Sequence, residues 1–197
     1  MIRRLSPCLA AAVTTLTILA HPDLASAGTK AGVTMPDTLQ VDGTTLVLNG
    51  MGVRAFTLLH INGYVGALYL PQKTSDAGAA LSEKGPKALF MQFLRGAAVD
   101  RVHQMYLASS RLYCSKHVCT DGDKVAFEKL LGTVRPVQPG DRTGFIVTDS
   151  GVQVLFNGAQ VTKIDDPAFG RTILDSDLGT TPPSEELRDG LLGKSSS

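Results

Sequence analysis

The sequence predicts an α+β fold, a mainly antiparallel sheet with a helical layer on one face. Three observations carry this. Short β-like runs are joined by tight turn signals, Asp42-Gly43 first among them, and such short connections make neighbouring strands antiparallel. Helical patterns are grouped between blocks of strands instead of alternating with single strands. Hydrophobic residues make up 43% of the 197, enough for a real core and too many for a disordered chain.

Residues 1–27 read as a secretory signal peptide. Arg3 and Arg4 form the basic end, residues 9–20 an apolar run too short to span a bilayer comfortably, and Ala25-Ser26-Ala27 a small-x-small cleavage site. An uncleaved N-terminal anchor is the alternative, and the cleavage site argues against it. Removing this segment takes away Arg3, Arg4 and Asp23, so the 19 basic and 18 acidic residues of the whole chain become 17 and 17. Cys8 goes too, leaving Cys114 and Cys119. The expectation is a neutral domain, periplasmic or secreted, with no stable membrane insertion after cleavage.

Residues 28–36 are small and polar and read as a flexible lead-in; residues 37–193 form the domain and 194–197 a disordered Ser-rich tail. Residues 38–41 and 44–49 alternate around Asp42-Gly43, a strong hairpin signal. Gly50-Met51-Gly52 interrupts the pattern and reads as a tight bend before a long β-rich stretch, 53–70, closed by Pro71. Residues 74–84 suggest a short helix capped by Thr74 or Ser75 and stopped by Gly85-Pro86. The run 87–94 is almost wholly apolar and reads as a buried strand. Residues 97–112 form an amphipathic helix, and Asp123 caps a second carrying Phe127, Leu130, Leu131 and Val134. A meander follows: 144–148, 152–157 and, after Gly158, 159–164. Asp166-Pro167 begins a helix through Leu174, and a last one starts at Pro182-Pro183-Ser184 and finishes by Gly193.

Composition removes several functions. Net charge is +1, no basic stripe is present, Trp is absent and aromatics are 6%, which argues against a nucleic-acid partner. Standard nucleophile, zinc-protease, phosphate-loop and dinucleotide motifs are missing, so neither a metal nor a cofactor is expected. Cys114 and Cys119 flank the one cluster of soft ligands. In an exported protein this spacing favours a small disulfide loop, with a metal site or free thiols as alternatives. Arg54 stands apart. It follows the Gly-x-Gly bend inside a β segment, with no acid within five residues on either side. Such an arginine either snorkels at the surface or reads an anion in a cavity, and composition alone favours the surface.

Four motifs in order narrow the choice: residues 48–54 (LNGMGVR), 64–71 (YVGALYLP), 91–95 (MQFLR) before a helix, and 178–193 (LGTTPPSEELRDGLLG). Together they resemble the chalcone isomerase-like family, specifically its exported bacterial branch, from about Ala31 to Gly193. The resemblance implies an open-faced β-sandwich with a ligand cleft between sheet and helices. It also implies that Arg54 sits at the cleft, stabilising an oxyanion in the isomerases and holding a carboxylate in the fatty-acid-binding relatives. Tyr64 matches the second anchor of those binders. The two positions after the MQF strand where the isomerases use a tyrosine and an asparagine fall on Ala98 and Met105, with Tyr106 next to the second. Leu89, Met91 and Phe93 alternate on one strand face and either line the cleft or pack the core.

The expected function is therefore non-catalytic binding of a fatty acid or similar amphipathic carboxylate in an apolar cleft. One alternative is an intramolecular lyase of the chalcone–flavanone isomerase type, closing a ring by oxa-Michael addition with Arg54, Tyr64 and Tyr106. Another is an exported interaction module with no pocket function, which would leave Arg54 on the outer surface. One geometric condition applies. Ten residues along a straight strand span about 33 Å, so Arg54 and Tyr64 share a ligand only if the chain reverses between them, with residues 60–63 supplying the turn.

Overall fold

The computed structural model describes residues 27–56 and 61–194. The signal peptide expected at 1–27 lies outside them except for Ala27, as do His60 and tail residues 195–197. Nine strands are present among the described residues: β1 (Ala27–Lys30), β2 (Val33–Pro36), β3 (Thr38–Val41), β4 (Thr44–Phe56), β5 (Ile61–Leu70), β6 (Lys87–Phe93), β7 (Arg142–Thr148), β8 (Gly151–Phe156) and β9 (Ala159–Ile164). Strands β3 to β9 form one curled antiparallel sheet in chain order, and β1 and β2 form a separate hairpin. The helices are α1 (Ala77–Ser82), α2 (Val99–Lys116), α3 (Asp121–Leu131), α4 (Pro167–Leu178) and α5 (Glu185–Leu191). The α+β architecture is the one expected.

Two-residue turns set the strand order. Asp42-Gly43 and Asn157-Gly158 take left-handed φ values of 48° and 78°, and 49° and 83°, the backbone that a tight hairpin demands. Both faces of the central strands are buried, which is why β5 and β6 read as continuous apolar runs. On β5, Tyr64, Leu68 and Leu70 face the helices, while Val65, Ala67 and Tyr69 face the other way. Leu89, Met91 and Phe93 of β6 share the helix-side core with Phe127, Phe169 and Leu174.

The second face explains one correction. Residues 28–36, expected to be a flexible lead-in, form the β1–β2 hairpin. Ala31-Gly32 makes the same left-handed turn (φ 48° and 78°), and Val33 and Met35 alternate into the core at 3% and 1% exposure. The Tyr69 hydroxyl donates to the Pro36 carbonyl at 2.8 Å and ties the hairpin down. A segment with only two large apolar residues looks polar in sequence, yet those two fall on one face.

Gly50-Met51-Gly52 is also not a bend. β4 runs straight through it, with a register shift between Leu48 and Gly50. These glycines are places of close approach: a Cβ on Gly50 would strike the Gly190 carbonyl, and one on Gly52 the Leu187 carbonyl of α5. The bulged Asn49 is buried, donating to the Leu191 carbonyl and accepting from the Thr74 amide, both at 2.7 Å.

Helix caps shift by a few residues from expectation. Asp76, not Thr74 or Ser75, caps α1. Thr120 caps α3, with Asp123 completing a capping box at the third position. Lys194, placed in the tail by sequence, hydrogen-bonds through its amide to the Asp189 carbonyl at 2.9 Å. Cys114 and Cys119 are bonded to each other with a Cα–Cα distance of 5.3 Å, linking the end of α2 to the segment before α3. Closing so short a loop is worth about 2 kcal/mol. Cys114→Ser with Cys119→Ser is expected to lower the unfolding free energy from urea titration by that amount, and adding reductant to the double variant should change nothing further.

Candidate functional site

Arg54 and Tyr64 are directly opposed partners on β4 and β5. The chain therefore reverses between them, as the shared-ligand reading required. Of the expected turn residues, Ile61, Asn62 and Gly63 belong to β5, and His60 lies outside the described residues. Strand alternation places Arg54 on the helix-side face with Gly50 and Gly52, and the Nε and Nη1 atoms of its guanidinium are buried without a hydrogen-bond partner. The surface position that composition favoured is thereby corrected. A lone cation in a neutral domain is drawn inward because cross-strand pairing and the Phe56 ring, 5.1 Å below the guanidinium carbon, fix its direction.

Between the sheet and α2, α3 and α4 lies a cavity of about 40 Å³ whose lining includes Tyr64, Met91, Met105, Tyr106, Phe127 and Asp177. Met91 thus lines it as expected. Leu89 and Phe93 do not: Leu89 packs in the core at 2% exposure, and Phe93 sets its ring edge-on against Tyr64 with centroids 6.0 Å apart. Both share the face with Met91 and the helix-side core but are absent from the cavity lining. Of the two positions matched to the isomerases, Ala98 is the N-cap of α2 and Met105 is an apolar wall. Tyr106 enters the cavity instead, with its hydroxyl buried and unpartnered.

Asp177 is the site residue that the sequence reading missed. A helix ending at Leu174, as the sequence suggests, leaves Asp177 outside any helix, and no acid lies near Arg54 along the chain. The helix runs on to Leu178. Gly170, Ile173 and Leu174 are buried on α4, and Asp177 follows them at helical spacing. An acid on the apolar stripe of a helix was the available signal. Burial pushes the Asp177 carboxyl up to about 6, against the attraction of the Arg54 guanidinium.

Burial likewise raises the Tyr64 phenol far above its ordinary range, opposed in part by Arg54, and raises that of Tyr106. Both hydroxyls stay protonated at any physiological pH and are available as donors. The site thus sets two phenol donors and one carboxyl of raised pKa within a largely apolar chamber, and one cation, Arg54, beside Tyr64 just outside its lining, a chemistry suited to a singly charged oxyanion on a hydrophobic body. Among the described residues no group of three or more His, Cys, Asp or Glu side chains is placed to hold a metal ion, and no helix is long and apolar enough to cross a membrane.

Comparison with known proteins bears on this geometry. The family profile described as chalcone isomerase-like matches residues 27–193. A crystal structure of a fatty-acid binding protein from Arabidopsis thaliana is similar in fold, with a TM-score of 0.69 and 15% identity, over 85% of this chain and 96% of that one. No curated protein matches at the level of sequence.

Proposed function

The chain belongs to the chalcone isomerase-like family, and from that premise we propose that it is an exported, non-catalytic protein that binds a fatty acid or similar amphipathic carboxylate. The observation that carries this is half-buried Arg54, whose buried Nε and Nη1 lack an acceptor, beside a largely apolar cavity. Burying such donors unpaired is unfavourable, and a carboxylate supplies what they lack. The structurally similar protein being a fatty-acid binder supports the same reading. So does the apolar character of Ala98 and Met105, where the resemblance would put the polar groups that position a chalcone. The signal-like segment 1–27 and the Cys114–Cys119 disulfide fit an oxidising compartment outside the cytoplasm.

The cavity at about 40 Å³ has room for a few water molecules, far below the ~300 Å³ or more of ligand-sized pockets. Loading an alkyl chain therefore requires the helical layer to lift. α2 is the element suited to move: only Val102 and Ser110 of its 18 residues are fully buried. The disulfide couples its end to α3, so the two helices shift together.

The test is calorimetric titration of the purified protein with dodecanoate at pH 6, beside Arg54→Met. Losing a charge-assisted pair costs roughly 1.5–3 kcal/mol, so Kd should rise by about ten- to a hundredfold. The variant's melting temperature should be unchanged or higher, because an unpaired buried cation has been removed. Equal affinity in the variant, or no binding by the wild type, overturns the reading.

A further inference from the structure

Asp177 is hard to explain as a structural residue. It lines the cavity, yet among the described residues it makes no hydrogen bond, and it forms no ion pair within 4 Å of Arg54 or any other base. Its neighbour Asp175 is committed elsewhere, 3.5 Å from the Tyr113 hydroxyl and 3.8 Å from His117 Nε2. Around Asp177 the chamber is lined by Tyr64 from β5, Tyr106, Ser109 and Ser110 from α2, and apolar side chains from α3, β6 and β7; Arg54 of β4 lies outside the lining, opposite Tyr64, and its charge reaches Asp177. Asp177 is the one acid in the lining, and no base lines it.

A carboxylate that reaches Arg54 from the chamber comes close to a carboxyl group already there. Two ionised carboxylates against one guanidinium in an apolar enclosure leave an excess negative charge, and one of them must then take a proton. We propose that Asp177 is the specificity residue of this site, admitting a carboxylate head together with one proton. The proton comes from solvent and resides on the Asp177 carboxyl, which then donates its O–H to the bound head while Arg54 neutralises the remaining charge. This deepens the carboxylate-binding reading and rests on it. Binding is tight on the acid side and released as pH rises, and an uncharged head such as an alcohol takes up no proton. The raised Asp177 carboxyl, up to about 6, sets the lower edge of the pH range over which the coupling operates.

Titration of the full chain with dodecanoate at pH 6, 7 and 8, in two buffers of different ionisation enthalpy, tests this. One proton taken up per dodecanoate at pH 7–8 is expected, with binding roughly 50-fold weaker at pH 8 than at pH 6. Asp177→Asn keeps the volume and a donor but cannot titrate; its affinity should be flat across the range and exceed that of the wild type at pH 8. The wild-type proton count stands even if that variant fails to fold. Binding without proton uptake, or an Asn variant that keeps the pH slope, overturns the coupling alone. Absence of binding by wild type and variant at every pH overturns the carboxylate reading and the coupling with it.

Discussion

Gly52→Ala is expected to destabilise the fold by about 3 kcal/mol or more, enough to remove a large part of the stability of a domain this size. The added methyl would sit on the Leu187 carbonyl and Cα, and both are backbone. Backbone cannot rotate away as a side chain can, so β4 and α5 would have to separate. The contact is reciprocal: a Cβ on Gly190 would strike Gly52 Cα and the Met51 carbonyl. Separation would also pull Leu187 and Leu191, at 1% and 0% exposure, out of the core, where each contributes roughly 1.5–3 kcal/mol of transfer free energy. Gly132→Ala is the matched control. Gly132 has φ −64°, and the nearest atoms to the added methyl position are helix-end carbonyls at 3.5 and 3.6 Å, so the substitution should be neutral or stabilise by a few tenths of a kcal/mol. Urea unfolding of the three proteins gives the comparison. A Gly52→Ala midpoint equal to that of the control would show that α5 does not lie against β4 as described.

These glycines also show which features were legible in the sequence. A glycine pair has two common uses, a bend and a close approach, and the chain alone does not say which. Deciding needs the partner, and the partner of Gly52 is Gly190, 138 residues later. Local signals behaved differently. Asp42-Gly43, Asp166-Pro167 and the apolar run of β6 each carry their meaning within a few residues, and the corresponding turn, helix start and buried strand are all present. Arg54 and Tyr64 were legible as a pair through resemblance, and the chain reversal between them is what geometry required. Asp177 was not, because it meets Arg54 only through the packing of α4 on the sheet. Likewise Leu89 and Phe93 were readable as inward-facing, since period two is local, but where a cavity ends along a strand depends on helices from elsewhere in the chain.

The ligand-free protein should lose stability as pH rises through about 6, and Asp177→Asn should abolish that loss. In the unfolded chain this carboxyl titrates near its ordinary value of 3.8, and in the fold burial pushes it up to about 6. A folded-state pKa above the unfolded one means that the native state holds its proton more tightly. The contribution is fully present below pH 4, and it is lost as pH rises through 6. Two pH units of displacement amount to about 3 kcal/mol between pH 4 and pH 8. Other carboxylates act with the opposite sign: Asp141 and Asp165, held below their usual range by Asn157 and Lys163, gain stability as pH rises. They are common to wild type and variant, so the difference between the two unfolding curves isolates Asp177. That difference should grow in favour of Asn by about 3 kcal/mol from pH 4 to pH 8, read from urea midpoints at half-unit steps. A flat difference would mean that Asp177 ionises in the fold without penalty. A bound carboxylate should stabilise wild type as much as the variant at low pH and less at pH 8, where Asp177 must first take up a proton. An acid that destabilises its own fold at neutral pH, beside a cation with unpaired donors, is a local conflict of the kind that folds retain at sites of function.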